Sequence, residues 1–175
     1  TGTVGVLAAA AACLKLLQMK DPDRYEAKDF FDTMALASTQ ASGLLLITAS
    51  GQPCKPINPA KAAQTGVLTA QMIAAEAGHF NQALEGEKGW FNAMGDEIDE
   101  QAITHGLGQA FSIMQCYLKP YPACRHTHCG LQAVEELRSQ INSPIQKIQI
   151  RIYNNAIIVA GQIRHPHSAE ETKFS

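Results

Sequence analysis

Small residues dominate two long segments that favour helices, and this feature limits the fold more than any other in the chain. The segments are residues 3–20 and residues 60–77, the second being stopped by Gly78. Small residues on one face of a helix let two helix axes approach closely. Those residues are Ala8, Ala9, Ala10, Ala11, Ala12, Ala62, Ala63, Gly66, Ala70, Ala74 and Ala75. We therefore predict helix packed on helix in the first half.

A third helical segment lies between these two. It runs from residue 27 to about residue 46, and the turn Asp-Pro-Asp at residues 21–23 joins it to the first helix. From residue 78 to about 108 the secondary-structure pattern is weaker, and it indicates only short segments at residues 81–84, 90–94 and 96–102. His79 follows the glycine that stops a helix, so we expect it on the surface.

In the second half of the chain, the spacing of apolar residues is typical of strands in some segments and of helices in others. Residues 111–118 predict a strand, and residues 131–141 fit an amphipathic helix. Ile148, Ile150 and Ile152 alternate with polar residues, which is typical of a strand with one buried face. We predict an α-rich, α+β fold, with residues 1–105 in an all-helical domain and residues 106–175 in a smaller α+β domain.

Composition excludes several classes of protein. The chain has 175 residues, 46% of them hydrophobic, and a net charge of −2, so it is neither a basic nucleic-acid binder nor a disordered tail. Its apolar stretch at residues 4–17 is too short to span a membrane and contains Lys15. Five irregularly spaced cysteines favour a reducing cytoplasm. Because the chain starts without methionine and ends without a closing element, we expect an internal piece of a longer polypeptide.

One segment concentrates groups that bind anions and move protons. Residues 119–130, Lys-Pro-Tyr-Pro-Ala-Cys-Arg-His-Thr-His-Cys-Gly, place Lys119, Arg125, His126 and His128 just before a predicted helix. The unpaired N–H groups of a helix start attract anions. Arg125 suits bidentate binding of a carboxylate, and His128 suits general acid or base catalysis. Spacing alone does not separate His126 from His128, and either could be a structural histidine.

A second anion-binding segment precedes the predicted helix at residues 60–77. Asn58 suits an N-cap and Pro59 the first helical position, so Lys55 and Lys61 would flank the positive helix end. A carboxylate would be stabilised there by two ammonium groups and by free N–H groups. The alternative is that both lysines are solvated surface groups, as most lysines are.

Two other chemistries fit the residue types of the first segment less well. Cys124, His126, His128 and Cys129 are all zinc-ligand types, but their spacing is unusual for a structural site and no second half exists elsewhere. A nucleophilic Cys124 or Cys129 would need an oxyanion hole, which no motif indicates. We predict neither a metal nor a cofactor.

Four separated segments resemble the MmgE/PrpD family, and they follow one another from one end of the chain to the other. The family includes 2-methylcitrate dehydratase, cis-aconitate decarboxylase and iminodisuccinate epimerase. The segments are Thr-Gly-Thr-Val-Gly at residues 1–5 with the alanine-rich helix, Ala-Lys-Ala-Ala-Gln-Thr-Gly at residues 60–66 with Lys55 ahead, residues 119–128, and Glu-Thr-Lys-Phe-Ser at residues 171–175.

The resemblance implies a cofactor-independent enzyme with a helical domain, a smaller α+β lid domain and an active site between them, usually in a homodimer. Lys55 matches the family's active-site lysine and His128 its active-site histidine. The family also uses an acidic residue, a threonine and a histidine that would lie ahead of residue 1, and a tyrosine beyond residue 175. Residues 1–175 alone are therefore expected to be catalytically incomplete.

Some positions depart from the family pattern. Asn58 and Ala60 stand where many relatives have histidine and glycine, Lys61 where arginine is common, and Cys129 where proline is frequent. Because these positions lie in or beside the substrate loops, they put the substrate in doubt more than the family.

The resemblance and the two cationic segments together predict a lyase or epimerase, similar to 2-methylcitrate dehydratase, that removes a proton beside a carboxylate of a small polycarboxylate. Lys55 and His128 are the expected catalytic residues, and Arg125, His126, Lys61 and Asn58 the expected substrate-binding residues. We expect a cytoplasmic homodimer without nucleic-acid or membrane partners. The alternative is a non-catalytic helical module for carboxylate binding or oligomerisation, in which Lys55 and His128 need not converge on one cleft.

Overall fold

The protein is described from a computed structural model that covers residues 2–44, 55–161, 165, 167–169 and 171–174. Two compact units are present: a helical unit, Thr1–Leu44 with Pro56–Ala110, and a carboxy-terminal unit, Leu45–Lys55 with Phe111–Ser175. The α-helices are α1 Val4–Lys20, α2 Ala27–Ser38, α3 Ile57–Ala74, α4 Trp90–Met94, α5 Glu100–Thr104, α6 His128–Arg138 and α7 Asn154–Ala160. Short 3₁₀ helices span Ser112–Gln115, Arg125–Thr127 and Glu171–Phe174. Within the covered ranges, no helix has the length and apolar character needed to cross a membrane.

The core of the helical unit is formed where α1 packs against α3 and α2. One face of α1 buries a residue every four positions, which is one helical turn. The first layer of this core joins Val6, Ala10, Ala37 and Ala62. The second joins Leu14, Tyr25 and Ala70. The α-rich part of the predicted fold class is thus confirmed.

Gly66 lies at a close approach between α1 and α3. A Cβ atom added to Gly66 would lie 2.5 Å from Ala9 Cβ and 2.7 Å from the Ala10 backbone nitrogen. Real Cβ contacts are not that short, so the helices approach this closely only because residue 66 has no side chain. This is the close packing that the small-residue pattern predicted.

Helix α2 ends at Ser38, several residues before the predicted end, and residues 45 and 46 lie outside the described ranges. The Ser38 hydroxyl donates to the Ala35 carbonyl at 2.7 Å, and the Thr39 hydroxyl donates to the Leu36 carbonyl at 2.8 Å. Such local hydrogen bonds compete with the backbone hydrogen bonds that would continue the helix, which explains why α2 ends at Ser38.

Helix α3 begins and ends earlier than predicted. Its N-cap is Pro56, so the prediction that Asn58 is the N-cap and Pro59 the first helical residue was wrong. Both prolines fit within the first turn, where backbone N–H groups have no helical partner. At the other end Glu76 has a positive φ of 59°, and the Ala77 N–H donates to the Met72 carbonyl at 3.0 Å. This is a Schellman-type C-cap that ends the helix before Gly78.

The predicted strands are not formed among the described residues. The first contains the 3₁₀ helix Ser112–Gln115, and the second, around Ile148 to Ile152, is irregular. A strand needs a neighbour to pair its N–H and C=O groups, and neither segment has one within the described ranges. Ile150 and Ile152 instead line an apolar cavity of about 280 Å³ together with Leu131 and Val134 of α6. The α+β character of the carboxy-terminal unit is therefore not confirmed.

A buried carboxylate joins α2 to the segment after α3. Asp32, 1% exposed, accepts hydrogen bonds from Lys28 Nζ at 2.6 Å, the Phe80 N–H at 2.9 Å and His79 Nδ1 at 3.0 Å. Burial raises the pKa of Asp32, but the hydrogen bonds from Lys28, His79 and Phe80 outweigh it, so the pKa lies below its ordinary value of 3.8. His79 is exposed as expected, yet its ring is held by this carboxylate.

Candidate functional site

Two lysines share a cavity in the carboxy-terminal unit. The cavity has a volume of about 470 Å³ and is lined by Lys55, Lys119, Pro120, Tyr121, Pro122 and Ala123. The prolines at positions 120 and 122 restrict the backbone of this loop, which favours a fixed wall. Lys55 is exposed. Because each of the two side chains ends in an ammonium group, the cavity suits a small anion.

The carbonyl of Ala123 connects this cavity to the buried histidine. It accepts a hydrogen bond from Lys119 Nζ at 3.2 Å and lies 3.3 Å from His128 Nε2. His128 is the first residue of α6 and only 3% exposed. The structure thus places Lys55 on the cavity and His128 behind the loop that forms its wall, although His128 is not itself a lining residue.

The second ring nitrogen of His128 is the unusual feature of the site. Nδ1 is buried and has no hydrogen-bond partner in the part of the chain that the structure describes. Buried polar atoms are usually paired, so an unpaired one calls for a functional explanation. An unpaired imidazole nitrogen can accept or donate a proton.

Tyr121 contacts both halves of the site. It lines the cavity, and its ring packs edge to face against the His128 imidazole with a centroid separation of 5.2 Å. Its hydroxyl donates to Glu135 Oε2 at 2.6 Å. The hydrogen bond with Glu135 raises the pKa of Tyr121 above its ordinary value of 10.0, and burial and the nearby carboxylates act in the same direction.

The other predicted binding residues of this unit have partners of their own. The Arg125 guanidinium carbon lies 4.9 Å from the centre of the Tyr117 ring, a cation–π contact. His126 Nδ1 forms a hydrogen bond with the Tyr153 hydroxyl. Neither Arg125 nor His126 lines the lysine cavity. Their role as substrate-binding residues stays a prediction.

Asn58 and Lys61 belong to the helical unit, unlike Lys55. Both lie in the first two turns of α3, with Asn58 partly buried and Lys61 exposed. Since Asn58 is not the N-cap, the helix start differs from the one on which the anion-binding prediction was built. Their part in substrate binding also stays a prediction.

The cysteines and histidines considered as metal ligands do not form a cluster here. No group of three or more His, Cys, Asp or Glu side chains suited to a metal ion occurs among the residues that the structure covers. Cys124 is partly buried and Cys129 is exposed.

Comparison with known proteins identifies the carboxy-terminal part of the chain. Residues 121–175 match the MmgE/PrpD C-terminal domain. The resemblance to the MmgE/PrpD family is thereby confirmed for this part, which contains Tyr121 and His128 but not Lys55. No curated protein and no solved structure gives a significant match to the chain.

Sequence reasoning did not identify Tyr121, Glu135 or the Ala123 carbonyl as parts of the site. Tyr121 and Ala123 lie inside the cationic segment, but a tyrosine or a backbone carbonyl has no distinguishing pattern. Glu135 follows His128 by seven residues, which puts both on one face of α6. That spacing was the available signal.

Proposed function

We propose that the protein is a cofactor-independent lyase or epimerase that removes a proton next to a carboxylate of a small polycarboxylate, as enzymes similar to 2-methylcitrate dehydratase would. One observation carries the proposal. A cavity with two ammonium groups shares the 119–123 loop with a buried imidazole whose Nδ1 has no partner among the described residues. The family match over residues 121–175 supports the same class of enzyme.

The lysines would bind the carboxylates of the substrate. Lys119 uses one N–H for the Ala123 carbonyl, and an ammonium group has three, so donors are left for a ligand. Lys55 adds a second positive charge to the same cavity. Charge-assisted hydrogen bonds of this kind are roughly twice as strong as neutral ones. A polycarboxylate suits the cavity better than a single carboxylate because it engages both ammonium groups.

Proton removal is the step that this charge distribution favours. When a C–H proton next to a carboxylate is lost, negative charge spreads onto the carboxylate oxygens, where the ammonium groups stabilise it. His128 would accept the proton at Nδ1. Departure of a hydroxyl group with a proton then gives dehydration, and proton return to the opposite face gives epimerisation. In decarboxylation the bond from carbon to the carboxylate breaks instead of the C–H bond, the electron pair stays on carbon as carbon dioxide leaves, and a proton is then delivered to that carbon. All three outcomes pass through a carbanion-like or enolate-like state.

The remaining features expected from the sequence belong to the same proposed enzyme. Arg125, His126, Lys61 and Asn58 would contact the substrate, and the enzyme would be a cytoplasmic homodimer that needs neither a metal nor a cofactor.

The test combines binding with proton exchange in the full-length protein. Citrate, 2-methylcitrate, cis-aconitate and iminodisuccinate are screened by thermal shift, and turnover or C–H exchange in D₂O is followed by NMR. At a hundredfold excess over Kd, binding adds about 2.7 kcal/mol of stability. We expect Lys55→Ala to lose binding, and His128→Gln to bind normally but react at least about a hundredfold more slowly. The control is Lys147→Ala, an exposed lysine of the same unit.

A second candidate function is a non-catalytic carboxylate-binding module. The observation that favours it is that His128 is buried and does not line the cavity. A thermal shift that Lys55→Ala abolishes, without turnover or exchange of any bound acid, would support this module. If no acid produces a shift and none reacts, both functions are wrong.

A further inference from the structure

Tyr121 bridges two turns of α6 in a way that substrate binding does not require. Its ring packs on His128 at the first residue of the helix, with an interplanar angle of 88°. Its hydroxyl is bonded to Glu135, seven residues further along. Seven residues are two helical turns, so Tyr121 lies along one face of α6. Its two contacts fix both ends of the tyrosine side chain.

The hydrogen bond to Ala123 determines which nitrogen of the neutral His128 ring carries the proton. A carbonyl oxygen only accepts, so the nitrogen that faces it, Nε2, must carry the hydrogen. Nδ1 then has the free lone pair. This is the tautomer that can act as a base at the buried, unpaired nitrogen.

That single hydrogen bond holds the ring weakly. At 3.3 Å it is longer than the usual N–H···O distance, and one bond leaves the plane of the imidazole free to turn. The Tyr121 ring contacts the imidazole edge to face, an arrangement that aromatic pairs prefer and that fixes the plane. Tyr121 is in turn held by a short bond to a carboxylate.

We propose that Tyr121 is a positioning residue for His128, and that Glu135 keeps Tyr121 in place. The proposal rests on the proposed function, in which His128 takes a proton at Nδ1. Tyr121 also lines the cavity that contains Lys55, so its side chain contacts both the anion site and the base. A base that is misplaced by about 1 Å can lose up to about a hundredfold in rate.

The kinetic test separates positioning from binding. Tyr121→Phe removes the hydroxyl and keeps the ring, while Glu135→Ala removes the acceptor. We expect both to lower kcat about tenfold with KM changed less than about threefold. Glu135→Gln keeps an acceptor and should remain within about threefold of wild type in kcat. The control is Glu136→Ala, because Glu136 accepts from Gln132 instead of Tyr121.

The second test does not depend on activity. The ¹⁵N signals of the His128 ring, assigned by their loss in His128→Gln, report which nitrogen is protonated. We expect the Nε2–H tautomer in the wild type and in Glu136→Ala, and a mixture of tautomers in Tyr121→Phe and Glu135→Ala. If those two variants keep both the wild-type tautomer and kcat, Tyr121 does not position His128. If the wild type turns over no acid, the proposed function fails, and the tautomer measurement still decides the role of Tyr121.

Discussion

Replacing Gly66 by alanine tests the close approach of α1 and α3. The new methyl group would lie 2.5 Å from Ala9 Cβ and 2.7 Å from the Ala10 nitrogen, where carbon atoms at optimal separation are about 3.5–4.0 Å apart. One of these neighbours is backbone, which cannot rotate away, so α1 must shift by roughly 1 Å. Alanine gains about 1 kcal/mol in helix propensity, whereas overpacking costs about 1–3 kcal/mol. Because one of the clashing atoms belongs to the backbone, we take the upper value of the overpacking cost and expect the free energy of unfolding to fall by about 2 kcal/mol.

Urea denaturation followed by circular dichroism measures this loss. At an m-value of about 2 kcal/mol per molar, the midpoint should fall by about 1 M with the slope unchanged. The matched control is Gly130→Ala in α6, where the added Cβ would have Ile150 Cδ1 at 3.8 Å as its nearest neighbour. That variant should be as stable as the wild type or up to about 1 kcal/mol more stable. A Gly66→Ala protein as stable as Gly130→Ala would refute the close packing of α1 and α3.

Three further predictions concern single groups. Because the pKa of Asp32 is lower in the folded state, the carboxylate stabilises the fold fully when the pH is above the ordinary pKa of 3.8. This contribution is lost as the pH falls through the lowered pKa. Asp32→Asn should therefore cost about 2 kcal/mol in unfolding free energy at pH 7 and less below pH 4, and a pH-independent difference would contradict this. Glu76→Gly should increase the free energy of unfolding by about 1 kcal/mol and so raise the thermal midpoint, because glycine adopts the positive φ without strain. A lower midpoint would argue against the C-cap. Glu135→Gln should lower the pKa of Tyr121 towards 10.0 in an NMR titration, and an unchanged pKa would exclude the bond between them.

The helices of the first half were predictable because their signals are local. Alanine-rich segments and turn residues act within a few positions of the chain, so α1 was placed to within one residue and α3 to within three. The helix boundaries were less predictable. The end of α2 depends on side-chain bonds of Ser38 and Thr39, and the end of α3 on the left-handed Glu76. Both helix ends depend on small differences in free energy, which cannot be read from the pattern of residue types.

The strand predictions show a different limit. The alternation around Ile150 reports that one face is apolar, and Ile150 and Ile152 do line a cavity against α6. A strand also requires a pairing partner distant in sequence. Whether one is present depends on tertiary structure, and none pairs with this segment among the described residues.

By itself, the sequence determined the α-rich helical half, the cationic segments and the resemblance to the MmgE/PrpD family, because residue type and short spacing encode all three. Only the tertiary structure decided that Lys55 joins Lys119 in one cavity, that the Ala123 carbonyl reaches His128, and that Tyr121 links His128 to Glu135. Those contacts depend on how the loop at residues 119–123 folds against α6. They arise from packing and hydrogen-bond geometry, in which residues distant along the chain become neighbours.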